Sequence, residues 1–193
     1  MLLIVAAAGI TGFAVSGLYD VSADVPHGKV AGWLLATTSR ASVERRAASI
    51  DVPDLTDRKL RLAGANDFEA MCADCHGAPG KRPQALGRGL NPRPPDLAES
   101  ASRLTAAELF WVTKHGIRMT GMPAWGATHD DAALWPVVAF VTALPQLSAD
   151  DYQAMLVQGA GSGHHGSASG MPAKSRAADV HDHSTHDHDT EKE

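Results

Sequence analysis

The pentapeptide Cys72-Ala73-Asp74-Cys75-His76 limits what this chain can fold into more than any other stretch. It holds both of the chain's cysteines. A bridge between residues three apart would close only a tiny loop, so no disulfide framework is available to the fold. At a helix end, residues three apart face the same side. Two thiols so placed, followed at once by a histidine, form the C-x-x-C-H sequence that attaches c-type haem. Both sulfurs can add to the vinyl groups of one porphyrin, and His76 then lies under the iron as its proximal ligand. Two other uses of such cysteines fit less well. A redox dithiol needs only C-x-x-C but expects a βαβ setting. A zinc site would need further ligands from a folded part that offers only His115 and His129.

The flanking pattern is helical throughout. Val25-Pro26 breaks the chain; Val30, Trp33, Leu34 and Leu35 then lead into a polar run with Arg40, Arg45 and Arg46, which reads as one helix with a solvated or headgroup-facing side. A linker at residues 52–56 hands over to a helical segment that runs from Asp57 to the cysteines. Residues 77–95 are too rich in Gly, Pro and Arg for a long element, and long loops in compact domains are usually functional. Thr105-Ala106-Ala107-Glu108 is a capping box that starts a helix, and Gly116 ends it. A last helix runs from Asp130 to Leu144 with Leu134, Val138 and Val141 at helical spacing, and Pro136 is expected to kink it or delay its start. Period-two alternation is missing, so the fold class is all-α.

Residues Met1 to Tyr19 carry no charge. As a helix they reach roughly 28 Å, close to a bilayer's hydrocarbon core. A retained single-pass anchor in the cytoplasmic membrane is expected, with a signal peptide cleaved after Val21-Ser22-Ala23 as the alternative. No basic flank precedes the run, which would fit a translation start further upstream. In both cases the rest of the chain lies on the periplasmic or extracytoplasmic side. Four segments follow: an anchor or uncleaved signal at 1–19, a helical juxtamembrane segment and linker at 20–56, a haem domain at 57–147, and a His/Asp-rich tail at 148–193. The tail, expected to be disordered, has almost nothing to bury from about Gly159 onward.

A second iron ligand is expected from Ile117-Arg118-Met119-Thr120-Gly121-Met122-Pro123-Ala124-Trp125-Gly126. Thioether sulfur is a soft neutral ligand that raises the potential. Gly121 and Pro123 fix a non-helical backbone around Met122, which favours it over Met119; the other methionine is then an ordinary gap filler.

With these motifs the chain resembles the class I monohaem c-type cytochromes, in particular the c-type subunits of bacterial terminal oxidases. The resemblance covers about residues 57–147. It is carried by Gly64 and Phe68 ahead of Cys72-x-x-Cys75-His76, the loop Gly89 to Leu97, the segment Gly121 to Trp125, and a closing helix with Trp135, Phe140 and Leu144. It implies a class I cytochrome c fold, helices packed around one covalently attached haem c. It also implies that the first and last helices of the domain cross at Gly64, Phe68 and Phe140, and that a proline carbonyl orients His76. Pro83, Pro92, Pro94 and Pro95 are all candidates for that carbonyl. The apolar first segment and the helix after it are similar to a membrane-bound subset of these cytochromes, whereas the His-rich tail departs from the pattern.

With His76 and Met122 both on the iron, no position is open to substrate. The expected function is electron transfer between Fe(II) and Fe(III), with no enzymatic activity of the chain's own. The expected partners are a redox donor and acceptor in a membrane respiratory complex or terminal oxidase. A haem subunit of a larger dehydrogenase or oxidase, or a haem sensor, are the alternatives. Six of the ten aromatic residues fall between Phe68 and Phe140, where they can wall a large apolar ligand. The net charge is −5 and no segment is strongly basic, which removes the electrostatic footprint of a nucleic-acid partner. Lys81, Arg82, Arg88 and Arg93 are candidates for steering an acidic protein. Six of the ten histidines (His164, His165, His181, His183, His186 and His188) lie in the tail. The His-x-His units make His181, His183, His186 and His188 candidate ligands for Cu(II), Ni(II) or Zn(II).

Overall fold

The frame of the molecule is a close crossing of two helices at Gly64. In the computed structural model, which describes residues 1–164, the elements are α1 (Leu2–Val15), α2 (Lys29–Ala47), α3 (Arg58–Met71), α4 (Ala73–His76), α5 (Ala85–Gly89), α6 (Leu97–Ser100), α7 (Ala106–His115), α8 (Asp131–Ala143) and α9 (Ala149–Gln158). Short 3-10 turns follow α6 and α8, and another opens at Trp125. Among the described residues there is no strand, only an isolated bridge between Ala78 and Lys81. The all-helical architecture agrees with a cytochrome c fold.

Local chemistry sets the helix ends. Asp57 caps α3 by accepting from the Lys59 N–H at 2.8 Å, and Asp130 caps α8 by accepting from Ala133 at 2.9 Å. Thr105 and Glu108 close a reciprocal box at the start of α7, and Gly116 ends that helix at φ 63°. Such left-handed ends favour glycine.

The core lies between α3 and α8. A Cβ on Gly64 would collide with the carbonyl of Pro136 and sit 3.0 Å from Phe140 Cβ. Glycine is therefore what lets the two backbones meet. Of the kink or delayed start expected from Pro136, the delay does not occur, since α8 starts at Asp131 and runs on through Pro136; the Pro136 carbonyl is itself part of the crossing. Phe68 and Phe140 pack with ring centroids 5.1 Å apart, and Leu134, Val137, Val138 and Leu144 complete the buried layer. Each such side chain contributes about 1.5–3 kcal/mol on burial. Replacing Gly64 by Ala is expected to cost at least the ~1–3 kcal/mol of ordinary overpacking, because the obstacle is backbone and cannot rotate away. Denaturant unfolding of the haem-loaded protein measures this, and an unchanged midpoint would contradict the crossing.

Two stretches differ from expectation. Residues 149–158, expected to belong to the tail, form α9. A second capping box, Ser148 with Asp151, starts this helix. Tyr152 is 0 % exposed and packs on Phe68 and Phe140, while its hydroxyl donates to Glu69 at 2.6 Å. Glu69 also pairs with Lys81, so α9, α3 and the loop after α4 are joined through one carboxylate.

The expected span over residues 1–19 is the other. Helix α1 has 14 residues, about 21 Å at 1.5 Å per residue, against about 30 Å of hydrocarbon core. It stops because Ser16 turns back onto the Phe13 carbonyl and Gly17 takes φ 70°. Among the described residues no helix is long and apolar enough to cross a membrane. Every residue of α1 is exposed. The tail histidines His165, His181, His183, His186 and His188 lie outside the described residues.

Candidate haem site

Helix α3 ends at Cys72, where the backbone bends to φ −120° before the single turn of α4. The His76 N–H donates to the Cys72 carbonyl at 2.9 Å and the Gly77 N–H to Ala73 at 2.9 Å, which makes the attachment pentapeptide one closed turn. Gly77 leaves it at φ 74°, against the Lys81 carbonyl and Pro83. Cys72 is buried and Cys75 half-buried, and the two are not bridged. Burial pushes the Cys72 thiol up to about 12, with Cys75 and Asp67 adding to the effect. A redox dithiol needs a thiolate stabilised near neutral pH; Cys72 has the opposite setting.

The His76 ring is fixed by a bond of 2.8 Å between Nδ1 and the carbonyl of Pro95. A carbonyl only accepts, so Nδ1 carries the proton and Nε2 keeps the lone pair a metal requires. Burial holds the imidazole's pKa below its ordinary value, opposed by the Pro95 bond and by Asp96. Both effects leave a neutral ring whose Nε2 could serve a metal. Of the four prolines left open by the sequence, Pro95 makes this bond.

The loop between α4 and α6 closes over the pentapeptide. Gln84 donates its N–H to the Asp74 carbonyl at 2.8 Å, and a Cβ on Gly87 would lie 2.6 Å from Cys75 backbone atoms. A hollow of about 650 Å³ adjoins Cys75 and His76, rimmed by Arg82, Arg88 and Arg93. This is within the roughly 300–1,000 Å³ usual for cofactor and ligand pockets. Lys81, grouped with these arginines in the sequence, also lines the hollow and pairs with Glu69.

Met122 stands apart from the pentapeptide on the loop between α7 and α8, and it is not on the wall of that hollow. Its N–H donates to Thr120 Oγ1 at 3.1 Å, and its carbonyl accepts from Ile117 at 3.4 Å. Gly116 lies tight against the carbonyls of Met122 and Pro123. Leu90 packs on Gly121, where a Cβ would meet its methyl carbon at 2.5 Å, so the His76 side and the Met122 side are in contact there. Met119 is 82 % exposed with φ 61°, whereas Met122 is half-buried. The donor set fits haem c: two reduced thiols on one helical turn, an imidazole with Nε2 presented, and one half-buried thioether.

Sequence reasoning missed the Tyr152–Glu69–Lys81 link, although Ser148-x-x-Asp151 is a legible helix start.

Residues 60–141 match the family model described as cytochrome C oxidase, cbb3-type, subunit III. No curated protein and no solved structure matches the chain. Over that segment the chain is similar to the c-type cytochromes of terminal oxidases, in agreement with the resemblance carried by its motifs.

Proposed function

We propose that this protein carries single electrons as a membrane-tethered c-type cytochrome outside the cytoplasm, with one haem c held by Cys72 and Cys75 and ligated by His76 and Met122. The observation that carries this is the Pro95 carbonyl on His76 Nδ1, which orients the imidazole of an attachment motif so that Nε2 would be the nitrogen to hold the iron. When bound, haem c supplies a one-electron Fe(II)/Fe(III) couple. The chain's part is to hold its ligands still. Pro95 fixes the imidazole, Thr120 and Gly116 fix the Met122 backbone, and a one-turn helix keeps both cysteines on one side. Were His76 and Met122 both to hold the iron, no coordination site would remain for a substrate, which favours a carrier over a catalyst. Arg82, Arg88 and Arg93 are exposed beside His76 and suit transient docking of an acidic redox partner. The test is spectroscopic: the purified protein gives a low-spin six-coordinate haem spectrum and no carbon monoxide adduct. A five-coordinate spectrum would favour a sensor instead. The match to an oxidase subunit supports a second reading, in which the domain works inside a respiratory oxidase; co-purification from solubilised membranes separates the two.

Tethering rests on α1, which is uncharged and exposed along its whole length, and on Trp33, Leu34 and Leu35 of α2, also exposed. So much apolar surface is unusual on a monomer in water. The haem-bearing protein is expected to sediment with membranes, and a version lacking residues 1–19 to stay in the supernatant. Equal partition of the two would remove α1 from the account, and a natural soluble form starting at Asp24 would show cleavage.

A further inference from the structure

We propose that α9 braces the charge balance of the haem site: Tyr152 fixes the Glu69 carboxylate, and Glu69 keeps the Lys81 ammonium paired, which makes Glu69 a positioning residue for the redox potential. The effect on the potential rests on the function proposed above, with haem held at Cys75 and His76. Each oxygen of Glu69 has its own donor. Oε1 accepts from Lys81 Nζ, and Oε2 accepts from the Tyr152 hydroxyl at 2.6 Å. Glu69 lies on the last turn of α3 before Cys72, whereas Lys81 lies on the loop after His76, so the pair straddles the attachment pentapeptide. Lys81 also lines the hollow beside Cys75 and His76.

Both ends of the brace are held by packing. Tyr152 is buried with its ring against Phe68 and Phe140, so its hydroxyl cannot be withdrawn without opening the core. Burial, with the Glu69 carboxylate adding to it, holds the phenol's pKa far above its ordinary range, and the hydroxyl stays a donor. At the other end, the Ala78 N–H donates to the Lys81 carbonyl at 2.9 Å and the Lys81 N–H to the Ala78 carbonyl at 2.8 Å, closing a turn in which Gly80 takes φ 76°. A Cβ on Gly80 would lie 2.8 Å from Ala149 Cβ, so the first residue of α9 sits directly on that turn. A carboxylate held through both oxygens has a fixed geometry, and hydrogen bonds to an ionised group are the strong ones. The pairing sets Lys81 apart from Arg82, Arg88 and Arg93, the other cations around the hollow. An uncompensated cation there would favour Fe(II), the less positive state of the iron, and so raise the potential. Glu69 and Lys81 are both half-buried, and solvent screens such charges only in part.

The experiment is equilibrium redox titration of the haem-loaded full chain as parent, Glu69→Gln, Lys81→Met and the double variant, paired with amine acylation read by mass spectrometry at Lys81 against the exposed Lys59. The proposal expects Glu69→Gln to raise the potential, Lys81→Met to lower it, and the double variant to lie nearer the parent than either single one. A second substitution would not repair a damaged loop, so that recovery separates charge balance from structure. Acylation of Lys81 is expected to quicken about threefold in Glu69→Gln, the order set by a partly exposed ion pair. It is expected to quicken less in Tyr152→Phe, which keeps the ring in the core and removes only the donor. Equal potentials across the set, a double variant displaced as far as Glu69→Gln, or unchanged Lys81 acylation in Glu69→Gln and Tyr152→Phe would overturn the proposal. A parent without covalent haem would overturn the functional reading and with it the effect on the potential, whereas the acylation rates decide the pairing by themselves.

Discussion

Replacing Cys72 and Cys75 together by alanine is expected to leave no haem on the chain after denaturation, where the parent protein keeps haem stain on a denaturing gel. The two sulfurs are the chain's only thiols and lie on one closed helical turn, so no other residue can form a thioether link. Folding is expected to suffer as well. Cys72 sits in the buried cluster with Phe68 and Leu134, and a unit near 90 residues has a modest core of its own, which a covalently held macrocycle would complete. A lower thermal midpoint therefore accompanies the lost stain. Stain that persists in the double variant, or porphyrin extracted from the parent by acid acetone, would refute covalent attachment.

Replacing Met122 by alanine is expected to abolish the weak far-red sulfur-to-iron band of the oxidised protein entirely, to open the iron to stoichiometric carbon monoxide binding, and to lower the potential. The direction follows from the loss of a neutral thioether that favours Fe(II). Met119→Ala is the control. Its side chain is 82 % exposed on a residue at φ 61°, and its loss is expected to leave both band and ligand binding as they were. The reverse result would move the ligand to Met119, and no change in either variant would remove methionine from the iron. Since the Met122 backbone is held through Thr120 and Gly116, alanine there removes the sulfur while keeping those supports.

The sequence alone determined what depends on neighbours within a turn or two. Helix starts at Asp57, Thr105 and Asp130 were legible because a cap is a contact between residues two or three apart. The attachment motif was legible because two thiols and an imidazole on one helical turn need no distant partner to be recognised. The same rule applied to Ser148 and Asp151 would have extended the domain through α9.

Tertiary structure alone decided the rest. Which proline holds His76 depends on the path of a loop whose glycines and prolines carry no periodicity, and only its return across α4 selects Pro95. That Met122 is half-buried while Met119 is 82 % exposed is decided by how the folded loop packs, which the spacing of the two residues does not report. The length of α1 was set by Ser16 and Gly17, which interrupt an apolar run that composition alone reads as continuous. Tyr152 against Glu69 and His164 against His129 are contacts across 83 and 35 residues of chain respectively. Hydrophobic periodicity reports which face of a helix is buried, but not what covers it; that answer exists only once the crossing at Gly64 and Pro136 has set where every later segment can lie.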